Sequence, residues 1–162
     1  MSTPTPTQTG DLDLDLDLLL DALQQLRYGD LSVRLPEDGP GRVGMVARVF
    51  NSLATLLEQL SAESIRITDE VGKQGRFGGQ AEVDGATGRW SEMVDSLNLM
   101  ALGLTYELRG VSQLAQAWAS GDTNLRHDPR YIAGEFAEMQ QRLNDAADHW
   151  TRPRAPRPPA VT

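Results

Sequence analysis

The chain contains no cysteine. That removes disulfide frameworks, thiol chemistry and cysteine-ligated zinc. Aromatic residues are scarce, at 6% of the chain, a thin supply for a large globular core. Positive charge is also scarce: 15 Lys and Arg stand against 23 Asp and Glu, for a formal net charge of -8. A nucleic-acid partner needs a basic face, so none is expected. An anionic membrane surface is a poor partner for the same reason. No run approaches the ~18 consecutive apolar residues of a helix that crosses a bilayer. The opening MSTPTPTQTG has neither the basic nor the apolar region of a secretory leader. The expectation is a soluble cytoplasmic protein with no cofactor, no metal and no membrane span.

What is present is enough for one domain or a few small repeats: 162 residues, 40% of them apolar. Both ends read as unstructured. Residues 1–17 are Thr/Pro-rich and then acidic; residues 151–162, TRPRAPRPPAVT, hold four prolines and three arginines. Proline lacks the backbone donor and fixes φ, so such a tail is extended and solvated. DLDLDLDLLL, from Asp11 to Leu20, alternates like a strand. It has no β-branched residue, however, and runs straight into LLDALQQL at helical spacing. It reads as an acidic approach to a helix, with Asp favoured near the helix N-terminus.

The middle of the chain repeats itself. A glycine closes each amphipathic run at Gly29, Gly75 and Gly121, spaced 46 and 46. An asparagine follows at Asn51, Asn98 and Asn144, spaced 47 and 46. A second glycine precedes each asparagine by ten residues: Gly41, Gly88 and Gly134. Apolar residues hold fixed places around the asparagine. Eight before it stand Val43, Trp90 and Phe136; five before, Val46, Met93 and Met139; one before, Phe50, Leu97 and Leu143. Two after come Leu53, Met100 and Ala146; six after, Leu57, Leu104 and Trp150. At this composition chance gives all of these apolar about once in a million, before correcting for choice of register. Steps of three and four make a heptad seam. The units span residues 18–63, 64–108 and 109–150.

Each unit reads as a helix, a linker of roughly a dozen residues, and a second helix. The first helices carry Leu19, Leu23 and Leu26; Ile65, Ile67 and Val71; and Val111, Leu114 and Trp118, aligned worst in the second unit. Gly29, Gly75 and Gly121 sit where the first helix must stop. An extended linker of that length can strap along a helix and leave the two helices parallel. One narrow seam per helix cannot close a core in a single chain. The fold expected is all-α: three tandem helix-strap-helix units forming stacked parallel four-helix coiled-coil bundles as a symmetric dimer. The segment from Leu97 to Ser120 has no proline and reads as one continuous rod.

RYGDLSVRLPEDG followed by GRVGMVARVFNSL resembles the HAMP domains, helical relay units of bacterial and fungal sensor proteins. The glycine-rich second linker and the GRW before the second helix are similar to the tandem HAMP arrays of fungal-type osmosensing hybrid histidine kinases and their bacterial relatives. The resemblance covers about Leu18 to Trp150. It implies a signature of Gly29, Gly41, Gly44, Gly75, Gly88, Gly121, Gly134 and Glu135, with the second-helix seam carrying the asparagines. In the family an acid opens the second helix and helps fix the strap to the first. Glu135 keeps it, while Arg42 and Arg89 stand there in the other units. The third unit also departs at Thr123, where an apolar strap residue is expected. The resemblance implies a non-catalytic relay or adaptor in two-component signalling. Its expected partner is a second copy of the chain, or the HAMP array of a sensor histidine kinase or receptor. The alternative is a split or remnant segment of a larger sensor kinase.

Other chemistry reads weakly. EVGKQGRFGGQ, Glu70 to Gln80, is rich in glycine but is neither GxxxxGK[ST] nor GxGxxG, and it occupies the place of GDLSVRL in the first unit. His149 sits at a helix end, and His127 beside Asp128 lacks an evident third ligand, so neither is read as a phosphoacceptor or metal site. Asp69 and Glu70 are neighbours that cannot share a helix face. Trp90, Trp118 and Trp150 fall on packing registers. No enzyme is expected.

Overall fold

The computed structural model describes the backbone of residues 6–127 and 134–151, and the side chains of those residues from Leu16 onward. Of the termini read as unstructured, 1–17 and 151–162, residues 1–5 and 152–162 lie outside the described residues, as do residues 128–133 of the third linker. The described chain is all-helical: α1 (Pro6–Arg27), α2 (Arg42–Thr68), a π-helical turn (Asp69–Lys73), α3 (Arg89–Ala119) and α4 (Glu135–Thr151). None of these helices is long and apolar enough to cross a membrane. α1 begins at Pro6, ahead of the acidic DLDL approach, so residues 6–17, expected to be unstructured, are helical. α3 runs unbroken through most of the segment read as a rod.

The chain divides into two compact units, Met1–Ala101 and Leu102–Thr162. The first has two apolar clusters. One joins Ala22, Phe50 and Ala54, with Leu19, Leu26, Val33 and Leu35 packed against them. The other joins Leu60, Ile67, Ala81, Val94 and Ala101, with Val71, Val83 and Leu97 around them. In each, the strap contributes an apolar residue that lies across a helix pair. The second compact unit buries Leu114 and Ala147 but also Glu107, His127 and Gln140.

The helix ends follow from glycine. At Gly29 (φ +92°) the amide of Gly29 donates to Leu26 O at 3.0 Å and Asp30 N to Gln25 O at 3.0 Å. At Gly121 (φ +91°) the same pair recurs, Gly121 N to Trp118 O at 3.1 Å and Asp122 N to Ala117 O at 2.9 Å. This is the Schellman closure, which places the backbone where a Cβ is penalised. At Gly75 the closure is one residue wider: Arg76 N donates to Glu70 O at 2.8 Å and Gln74 N to Asp69 O at 3.0 Å. The π turn absorbs that residue. From the last buried first-helix residue to the glycine is seven positions for Ala22 and Leu114, but eight for Ile67. This extra residue is why the second unit's first helix aligns worst in sequence.

Candidate functional site

The three asparagines do one job. Asn51 accepts from Leu35 N at 2.7 Å and donates to Leu35 O at 2.9 Å. Asn98 accepts from Ala81 N at 2.6 Å and donates to Ala81 O at 3.0 Å. Asn144 accepts from His127 N at 3.0 Å and donates to His127 O at 3.1 Å. A carboxamide carries an acceptor oxygen and a donor NH2 group side by side, the pattern needed to close on both backbone groups of an extended residue, with one N–H to spare. The clasped residues stand at equal spacing of 46. Asn51 also donates to Glu37 Oε1 at 2.8 Å.

Each clasp has a guard. In the first repeat Arg34 meets Glu58 at 2.7 Å and donates to Leu31 O and Val33 O. In the third, Arg126 meets Asp148 at 2.6 Å and donates to Thr123 O and Leu125 O. The second repeat has Gln80 at that place and is held differently. Arg66 pairs with Glu63 at 2.6 Å and Glu70 at 3.2 Å and donates to Gln80 O at 2.6 Å, while Glu82 N donates to Glu63 Oε2 at 3.0 Å. The Arg66 guanidinium and then the Glu82 amide hold the Glu63 carboxyl below its ordinary range. Asp30 is lowered likewise by the Ser32 hydroxyl and amide it accepts from.

The asparagines face the strap and share that face with a row the sequence reading passed over. Three residues after each stands Ala54, Ala101 or Ala147, at 0%, 1% and 0% exposure. Four before stand Ala47, Val94 and Gln140, all buried. The apolar seam lies roughly a quarter turn away at 100° per residue. That face is open. Val46, Leu53, Trp90, Met93, Met100, Phe136 and Trp150 are exposed, and Leu57, Leu97, Leu104, Met139 and Leu143 are half-buried. Phe50, also on the seam, is buried. The recurrence of alanine at 47 and 46 residues was the available signal; its small side chain hid it.

The signature glycines all take positions with a backbone reason. Gly41, Gly88 and Gly134 have positive φ immediately before α2, α3 and α4. Gly44 is buried against the backbone carbonyls of Glu37 and Gly39. Glu135 is exposed as the first residue of α4.

The third repeat has a polar interior. Gln140 Nε2 donates to the buried Glu107 carboxylate at 2.7 Å, and Gln140 Oε1 has no partner among the described residues. The His127 ring stacks edge-on against Tyr106 and lies directly over Gly110. Trp118 and Trp150 pack edge to face at 5.3 Å. His149 is exposed. No group of three His, Cys, Asp or Glu among the described residues could hold a metal. Gln140→Leu alone is expected to cost about 2–3 kcal/mol, because it strips a hydrogen bond from a buried carboxylate. Combined with Glu107→Leu it should return to wild-type stability or above. Urea unfolding followed through Trp118 and Trp150 fluorescence measures both.

No known family profile matches the chain, and no solved structure matches it significantly.

Proposed function

We propose that this chain is a non-catalytic relay built from tandem HAMP-like units, working as a parallel homodimer in or beside a histidine-kinase system. The observation that carries the proposal is the open face. In all three repeats the second helix packs its asparagine–alanine face inside the chain and leaves a heptad seam only partly covered a quarter turn away. A second copy in parallel register would cover it and complete a four-helix bundle at each repeat. Straps clasped through backbone atoms hold each helix pair in fixed register, as a relay of rotation or tilt requires. Coupling to a kinase rests on the sequence resemblance alone.

The absence of cysteine supplies the test. Leu57→Cys places one thiol on the seam. Mild oxidation at low protein concentration is expected to give a near-complete covalent dimer. A chain that stays uncrosslinked, and is a monomer by light scattering, overturns the proposal.

A further inference from the structure

The open face is not equally wide in the three repeats. On α2 the apolar arc extends past the seam to Met45 and Val49, which are 60% and 70% exposed. They stand six and two residues before Asn51. The same positions are Glu92 and Ser96 in the second repeat, and Glu138 and Arg142 in the third. Glu138 and Arg142 pair with each other at 3.3 Å, so that flank is a solvated one.

The first helices differ in the same direction. On α1, Leu19, Ala22 and Leu26 pack inward, while Leu16, Leu20 and Leu23 form an exposed row at i, i+4 and i+7. Counting from the buried first-helix residue, the matching row is Ser61, Ile65 and Thr68 in the second repeat and Leu108, Ser112 and Ala115 in the third. Only the first repeat carries a full leucine row. A cavity of about 300 Å³ opens beside it, lined by Leu16, Leu19, Pro36, Val43 and Val46 among others.

We infer that the first repeat is the dimer's anchor: Leu16, Leu20 and Leu23 of one copy pack on Met45, Val49 and Leu53 of the other, and reciprocally. This rests on the homodimer reading above. The occupant is a second copy because the two rows complement each other within one chain. A two-fold axis brings each against its mate twice, the mark of an isologous interface. The six exposed residues amount to roughly 600 Å² per copy, and the adjoining exposed seam residues bring the area toward the ~800 Å² that a stable interface takes from each partner. On the second helix of the third repeat a charged flank leaves only the narrow seam; in the second repeat Glu92 and Ser96 interrupt the flank, which keeps the exposed Leu99 beside it and Ile65 on the first helix.

The test compares two substitutions at one register position in the full chain, by sedimentation equilibrium. Val49→Glu is expected to raise the dimer Kd by about 100-fold or more, with helix content by circular dichroism unchanged. Ser96→Glu should leave it within about threefold. A wild-type chain that is a monomer overturns the homodimer reading and this inference with it. A wild-type dimer whose Kd is unmoved by Val49→Glu, or moved equally by Ser96→Glu, overturns the anchor alone. Met45→Lys serves as the second probe. Helix loss in both first-repeat variants would mean that the row packs within its own chain, and would also overturn the inference.

Discussion

Asn51→Ala is expected to release the first strap and to lower the stability of the first repeat by about 3 kcal/mol. The alanine removes three hydrogen bonds at once: those to the N–H and C=O of Leu35, and one to Glu37. Leu35 is packed against the first core cluster, so water reaches its backbone groups poorly. A polar group left without a partner in such a place costs about 1–3 kcal/mol. Asn51→Asp should do no better. It keeps an acceptor for Leu35 N, but it removes the donor and sets a carboxylate against Leu35 O and Glu37. The check is amide hydrogen exchange in the intact chain. Leu35 should lose protection in both variants, while Ala81, clasped by Asn98, keeps its own.

Gly44→Ala should have an effect as large, and confined to the first repeat. An added Cβ would press on the carbonyl oxygens of Gly39 and Glu37. These are backbone atoms, so no side-chain rotation relieves the contact. Either the strap lifts or α2 moves. Crowding of a packed interior costs about 1–3 kcal/mol, and the upper end applies where backbone must shift. The equivalent residues in the other repeats are Ser91 and Ala137, which already carry a Cβ. Ser91→Ala should therefore be nearly silent, within about 0.5 kcal/mol. Thermal or urea unfolding of the two variants side by side makes the comparison.

The repeat was legible in the sequence because its landmarks are large or unusual: glycine at helix ends, asparagine in an apolar run, and the heptad seam. The division of labour between helix faces was not. Asparagine beside a seam reads as part of the seam, as Asn51, Asn98 and Asn144 do. Its real neighbours are strap residues 16 or 17 positions away, a separation that no local pattern encodes. Ala54, Ala101 and Ala147 were invisible because alanine scores weakly on any hydropathy scale, although its smallness is what lets the chain pack closely there. The π turn was hidden for a different reason. A single inserted residue looks like poor alignment until the buried Ile67 fixes the register. The polar interior of the third repeat was equally unreadable, since Glu107 and Gln140 are 33 residues apart and meet only in the fold.

The clasp has one more consequence. The asparagine grips the main chain and is indifferent to the side chain it holds, which is Leu35 in one repeat, Ala81 in the next and His127 in the last. Backbone geometry at that point is therefore conserved by the helix, while the strap's sequence is free to drift. Each strap can acquire its own character without disturbing the frame: proline-stiffened in the first repeat, glycine-rich in the second, and carrying a buried imidazole in the third.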